Sequence, residues 1–156
     1  MSNARDRVQE LQLRYAHAID EDALEQWPYF FTDICRYRVI PRENHARGLP
    51  ACLIDCTSRA MLHDRVVSLR SANIYNIHFD RHIMSPPLLE SDANDGCVNV
   101  RTQFLVLQSD QAGVTKPFAT GVYLDVVDLR GSQALFRERT VVLDSYGILE
   151  LLATPI

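Results

Sequence analysis

Apolar and polar positions recur along this chain at two periods, helical in the first third and strand-like in the last. Val8, Leu11, Tyr15, Ala18, Ile19 and Asp22 fall at helical spacing with Arg14, His17 and Glu21 on other faces, which predicts an amphipathic helix from Ala4 to Asp20. From Val98 onward the period shortens to two. Val98–Ser109, Phe118–Leu129 and Ala134–Ser145 read as long strands, introduced by an Asp95-Gly96 turn and separated by a 110–115 loop and a Gly131-Ser132 hairpin.

The stretch between them is mixed. Asp22-Ala23-Leu24-Glu25 predicts an N-cap on a short second helix, which Pro28 ends or distorts. Trp27, Tyr29, Phe30 and Phe31 supply an aromatic plug. Cys35–Pro41 alternates as a strand, a polar loop covers Arg42–Pro50, and Ala51–Asp55 is a short strand. Thr57 caps a third helix carrying Ala60, Met61, Leu62, Val66, Val67, Leu69 and Ala72. Ile74–Phe79 is a turn or edge segment. Arg81–Leu89 reads as a strand whose Pro86-Pro87 pair permits only an edge or bulged position. Helices followed by long strands give an α+β cone, a curved antiparallel sheet with helices packed on one face.

At 156 residues, without repeats or linkers, the chain forms a single domain, 1–156, that buries roughly 70% of its unfolded surface. No apolar run approaches the ~20 residues of a membrane span. Met1–Arg7 leads directly into a helix and lacks the apolar core of a secretory signal, so a cytoplasmic protein is expected. A net charge of −4 with interspersed signs gives no footprint for nucleic acid. Cys35, Cys52, Cys56 and Cys97 lack zinc spacing and read as thiols acting as small hydrophobes. The paired Cys-x-His and Cys-x-x-His hooks that hold a Rieske cluster are also missing from the sequence.

Three constellations could carry chemistry. His78-x-Asp80-x-His82 puts two imidazoles and a carboxylate on one strand face, the donor set of a non-haem iron centre. Same-face side chains stand about 7 Å apart, however, and Arg81 adds a competing charge, so a structural role is the stronger reading. Asp33, Tyr37 and His82 could form a proton-transfer pocket inside the cone, although Asp33 is equally a turn residue and Tyr37 equally core. Arg139 on the last strand is expected to pair with Asp144, Glu138 or a helix carboxylate, or to meet a partner's carboxylates. No phosphate loop, nucleophile elbow or dinucleotide fingerprint occurs in the sequence.

Several residue groups in order carry a resemblance: Tyr15-Ala16 and Ile19-Asp20, Trp27-x-x-Phe30-Phe31-Thr32-Asp33-x-Cys35-x-Tyr37, Met61-x-x-Asp64-Arg65-x-x-x-Leu69-Arg70, Arg81-His82-x-x-Ser85, and Glu138-Arg139 with Leu143-Asp144. Over nearly its whole length the sequence resembles the small (beta) subunits of aromatic-ring-hydroxylating, Rieske-type dioxygenases. Asn44-His45-Ala46-x-Gly48-Leu49 is similar to the terephthalate, or aromatic-carboxylate, branch.

The resemblance implies the nuclear-transport-factor-like (cystatin-like) cone. It implies a homotrimer within a three-plus-three hetero-hexamer, beneath large (alpha) subunits that carry the Rieske [2Fe-2S] cluster and the mononuclear Fe(II). The small subunit itself then holds no cofactor or metal and has no catalytic residue. Its expected interface anchors are Tyr75, Arg81, His82, Arg139 and Leu151, the last within an apolar 149–152 tail. The same cone also houses stand-alone dehydratases and isomerases, so a His/Asp acid–base enzyme is the alternative. An open cavity above His82 and a carboxylate favours that alternative, and a cone blocked by Trp27, Phe30, Phe31 and Tyr37 opposes it.

Overall fold

Asn3 starts the first helix by accepting a hydrogen bond from the backbone N–H of Asp6 at 2.9 Å, and the Asp6 carboxylate reaches back to the Asn3 N–H at 3.3 Å. This reciprocal cap fixes α1 over Ala4–Asp20, the range the periodicity predicts. The computed structural model describes residues 3–72, 75–93, 95–148 and 151–156. Val8, Leu11, Tyr15, Ala16, Ala18 and Ile19 form the buried face of α1, and Gln12 is buried among them.

Asp22 does not cap a second helix. It takes a left-handed backbone (φ 57°) that turns the chain out of α1, and Ala23, at the next N-cap, makes no side-chain bond. The chain then winds into a 3-10 helix, Leu24–Phe30, with Pro28 inside it. Proline has no N–H to donate to an α-helical ladder, which favours the tighter winding here. Trp27, Phe30 and Phe31 turn inward, while Tyr29 is exposed.

Strand β1, Phe31–Pro41, starts four residues before the predicted one, and part of the expected 42–50 loop is a short helix α2, Arg42–Ala46. β2 is Ile54–Cys56. Helix α3, Arg59–Ser71, is capped by Ser58, whose hydroxyl accepts from Met61 N–H, rather than by Thr57. Leu62, Val66 and Leu69 face the core, and Met61 and Val67 face solvent.

The strand predicted for Arg81–Leu89 is two strands, β3 (His78–Met84) and β4 (Leu88–Ala93), broken at the two prolines. Both pair with β5 (Cys97–Asp110). Ser85 bridges the break: its N–H donates to Gln103 O at 3.0 Å and its hydroxyl accepts from Gln103 N–H at 3.1 Å. β6 (Thr115–Asp128) and β7 (Leu135–Leu143) complete the sheet. Their ladder opens at Asp128 and Leu135, so the connection is wider than the two-residue hairpin expected around Gly131-Ser132. Arg7 closes it by donating to the carbonyls of Leu129 (2.8 Å) and Gly131 (2.6 Å).

Among the described residues the sheet has seven strands in the order β2-β1-β7-β6-β5-β3, with β4 beyond on β5. Every pairing is antiparallel except one: β1 runs parallel to β7. Register shifts in β1/β7, β4/β5, β5/β6 and β6/β7 coil the sheet into an open cone. One core joins α1, α3 and the aromatic plug to the concave face. Among the described residues no helix is long and apolar enough to cross a membrane. The four cysteines are free thiols, and burial pushes those of Cys35 and Cys56 above their ordinary range.

Arg70 ties α3 to the end of α1, donating to both carboxylates of Asp22 (2.9 Å) and Glu25 (2.7 Å) and to the Asp22 carbonyl (2.7 Å). The Arg70 hydrogen bond holds the Glu25 carboxyl down to about 2 from its ordinary 4.5. Because the folded value is the depressed one, this contact stabilises the fold above pH 4.5 and is lost as pH falls toward 2. In Arg70→Gln, carboxyl NMR is expected to show Glu25 titrating near its ordinary value. A titration still near 2 would mean that Arg70 is not the cause.

Candidate functional site: the interior of the cone

The inner face of β6 is lined by Tyr123, Asp125 and Val127, so the pleat drives one carboxylate into an apolar layer. β7 answers with Arg139, directly opposite Asp125 in the register. The guanidinium makes a two-pronged pair with Asp125, Nε to Oδ1 at 2.9 Å and Nη2 to Oδ2 at 2.7 Å, and both side chains are inaccessible to solvent. Gln12 of α1 supplies a further donor, its Nε2 lying 3.3 Å from Asp125 Oδ2 and 2.8 Å from Thr102 Oγ1. Aromatic rings enclose the cation: Tyr15 at 4.3 Å, Tyr123 at 4.1 Å and Phe136 at 4.0 Å from its central carbon. Burial opposes the charge on Arg139, but Asp125, through its charge and hydrogen bonds, outweighs it and holds the group above its ordinary range.

Above this pair lies the plug. Trp27 packs edge-on against Tyr37 (5.1 Å) and Phe31 (6.0 Å), and Tyr15 against Phe136 (5.5 Å) and Phe30 (5.9 Å). Burial raises the phenols of Tyr15, Tyr37 and Tyr123, so all three stay protonated at neutral pH. Ala153 and Ile156 enter the same core from the 151–156 segment. Tyr15 and Tyr37 hydroxyls donate to the Ile156 oxygen at 2.9 and 3.3 Å, and Ile156 N–H lies 3.1 Å from the Tyr37 hydroxyl.

The Asp33, Tyr37 and His82 pocket is not assembled. Asp33 lies on the outside, its side chain 87% exposed and ion-paired with Arg59. Tyr37 is sealed in the plug. His82 is on β3, well across the sheet from β1, where its Nδ1 meets Asp20 Oδ1 at 2.6 Å and its N–H donates to Asp20 Oδ2 at 2.9 Å. A His–carboxylate pair is therefore present, but the His82 side chain is wholly buried. Five surface clefts among the described residues have linings that do not include Tyr37, His82 or Arg139.

His78, Asp80 and His82 share a strand face, as their spacing predicts, yet each has its own task. Asp80 accepts from Gln108 (3.1 Å) and Thr154 (2.8 Å), and His82 belongs to Asp20. His78 Nδ1 lies 2.7 Å from Asn76 O, and its Nε2 stays 3.9 Å from Asp80. Among the described residues no group of three or more His, Cys, Asp or Glu side chains is placed to hold a metal ion.

Two expected interface anchors need correcting. Arg139 and His82 are interior residues, held by carboxylates of their own chain, and cannot reach a neighbour. Arg139 pairs with none of the partners expected for it, neither Asp144, Glu138 nor a helix carboxylate. Arg81 is exposed on β3, Leu151 is 57% exposed, and Tyr75 is partly buried against His78. Leu149 and Glu150 of the expected tail, and Ile74 of the expected edge segment, lie outside the described residues. Gln12 and Asp125 escape a reading by motif, and Asp20 enters only as part of the Ile19-Asp20 resemblance, with no role given to it. Their one signal is a polar residue inside an otherwise apolar periodic face.

Comparison with known proteins matches this architecture to one family. The model for the ring hydroxylating beta subunit aligns with residues 14–150. The chain belongs to this family. It is 43% identical, over 91% of its length and 92% of the relative's, to the terephthalate 1,2-dioxygenase terminal oxygenase component subunit beta 1 of Comamonas sp.. It is 38% identical to the anthranilate 1,2-dioxygenase small subunit of Burkholderia cepacia, over 94% of this chain and 90% of that one. Among solved structures, a chain assigned as the beta subunit of an aromatic-ring-hydroxylating dioxygenase from Novosphingobium aromaticivorans superposes with a TM-score of 0.89 at 38% identity, covering 98% of this chain and 97% of that one. More distant structures below 25% identity share the nuclear-transport-factor-like cone and speak to the fold alone.

For a ring-hydroxylating beta subunit the resemblance motifs now have a physical meaning. Tyr15, Trp27, Phe30, Phe31, Tyr37 and Arg139 all fill the cone, and Arg70 staples its helices. They describe a blocked interior.

Proposed function

We propose that this beta subunit is non-catalytic and serves in assembly. Three copies form a base, and each docks a large subunit that carries a Rieske cluster and a mononuclear iron, in a cytoplasmic dioxygenase of aromatic catabolism. The observation that carries this reading is the interior: the space a stand-alone cone enzyme needs for substrate is filled by the Arg139–Asp125 pair, the aromatic plug and Ile156. The outer surface supports it as well. Along the β3–β4 edge Phe79, Ile83 and Leu88 are each at least half exposed, with Arg81 between the first two, an apolar strip suited to burial against another subunit. The relatives named above act on anthranilate and terephthalate, and we infer an aromatic carboxylate as the substrate class of the whole enzyme.

The test is mass by light scattering together with iron analysis, on the chain alone and co-expressed with its large subunit. A three-plus-three complex is expected, with iron present only when the large subunit is present. Stoichiometric iron in the chain by itself, or failure to associate with the large subunit, would refute the assembly role.

A further inference from the structure

The outer face of an antiparallel sheet packed on its inner face ordinarily carries polar side chains. One part of this sheet departs from that rule. Val122 and Leu124 on β6 are half-buried on the outer side, and Val142 on β7 lies directly opposite Val122. The β5/β6 register sets Gln103 opposite Val122 and Arg101 opposite Leu124. The outward side chains therefore form two adjoining rows, each with a polar group on β5 and an apolar one on β6.

Helix α2 walls this floor with Arg42, His45 and Ala46. Asn44 pins the wall by donating to the Ala51 carbonyl at 3.1 Å, and Arg47 pairs with Glu43 at 3.2 Å. The result is a cleft of about 600 Å³ with an apolar floor and polar walls, a size and make-up suited to a small molecule. The Asn44-His45-Ala46 stretch, which has no part in the blocked interior, builds one side of it.

Its charges are unevenly placed. Asp144 holds the α2 end, where it accepts from the Thr120 hydroxyl at 3.0 Å and faces Arg42 at 3.6 Å. Thr120 and Leu124 are four residues apart on β6, so the Arg101 end lies roughly 13 Å away along the strand. Arg101 engages Glu90 through Nε, at 2.7 Å, which leaves its two Nη groups for a second acceptor. The Gln103 amide adds a neutral donor in the next row. A guanidinium fork at the edge of an apolar floor selects a planar carboxylate that carries a flat apolar body. A phosphate would leave the floor uncovered, and a neutral ring would leave the fork unused.

We propose that this outer cleft binds a small aromatic carboxylate, with its carboxylate on Arg101 and Gln103 and its ring on Val122, Leu124 and Val142. The site does not rest on the assembly role, which the mass and iron measurements test separately. An acidic side chain of a neighbouring subunit shares this chemistry, and the experiment separates the two sources.

Benzoate is the probe, with benzamide (the ring without the charge) and acetate (the charge without the ring) as controls. Each is titrated into the isotope-labelled full chain and followed by amide NMR. Benzoate is expected to saturate with a Kd on the order of 1 mM, and to shift the amides of Gln103, Val122, Leu124, Val142 and α2. Benzamide and acetate should each bind at least about tenfold more weakly. Arg101→Gln should weaken benzoate about tenfold at an unchanged melting temperature, since its side chain is 47% exposed. Arg36→Gln removes an ion-paired arginine of similar exposure (43%) on β1 and should leave benzoate binding as it was. Shifts scattered over the surface, equal binding of benzoate and benzamide, or full affinity in Arg101→Gln overturn the proposal. So does a parent chain that ignores benzoate while Arg101→Gln loses its neighbours in the assembly, which would give the cleft to a partner's acidic side chain.

Discussion

Replacing Arg139 by alanine is expected to lower the melting temperature of the isolated subunit by on the order of ten degrees. The substitution leaves Asp125 charged, buried and without its two-pronged partner, a defect that costs about 3–5 kcal/mol in proteins. It also removes the cation from between Tyr15, Tyr123 and Phe136 and leaves a void that they fill only in part. In a domain of this size each kcal/mol shifts the melting temperature by roughly 2–4 °C. Arg139→Lys should recover little, because an ammonium cannot form the fork or lie flat between rings. Pairing Arg139→Met with Asp125→Leu should recover most of the loss, since an apolar pair of similar volume avoids desolvating two charges. Thermal melts of the parent, the two single variants and the double variant check this as a double-mutant cycle. Loss of large-subunit binding at an unchanged melting temperature would instead make Arg139 an interface residue.

Gly121→Ala is expected to be equally severe for a different reason. A Cβ at this position in β6 would lie 2.0 Å from the Val142 carbonyl oxygen on β7 and 3.1 Å from the Phe104 ring on β5. The closest obstacle is backbone in a central ladder, so relief requires β6 and β7 to part beside the Gly121–Leu143 pairing. A loss of about 3 kcal/mol in urea unfolding is expected, the upper end of what overpacking of a tight core typically costs, because the obstacle is backbone. Gly147→Ala, where nothing lies within 4 Å, is the matched control and should change little. A Gly121→Ala protein within about 1 kcal/mol of the parent would show that the two strands can separate there without cost.

The Arg139–Asp125 pair also shows where sequence reasoning reaches its limit. A hairpin centred on Gly131-Ser132 places Asp128 opposite Leu135 and Val127 opposite Phe136, as observed. Continued without interruption, that register sets Arg139 opposite Leu124, on the outer face. A bulge between Val126 and Val127 shifts the pairing by one residue and sets Arg139 opposite Asp125 inside the cone. The strands are legible in their alternation, but the bulge carries no local signal, and so the sequence assigns Arg139 to other carboxylates or to a surface. Helix α1 is legible in its apolar stripe, and the Asn3 cap, which the stripe does not announce, fixes its start. Asp22 misleads because an Asp ahead of Glu25 is the signature of a cap, whereas its role comes from Arg70, far along the chain. The aromatic plug is legible in Trp27, Phe30 and Phe31. Its closure by Ile156 is not, because nothing near residue 156 in sequence announces two tyrosines from α1 and β1.

The parallel seam between β1 and β7 has a consequence for how the subunit is made. It joins residues about a hundred positions apart, as in the Arg38–Thr140 contact, whose sequence separation is 102. The first strand therefore emerges from the ribosome long before its central neighbour exists, and β2 has only β1 to pair with in the meantime. Non-local pairing of this kind slows folding, because loop closure must precede any gain from contact. The aromatic residues of the plug thus wait unburied until the last strand is synthesised, the stage at which a nascent chain is most prone to aggregate and most dependent on chaperones.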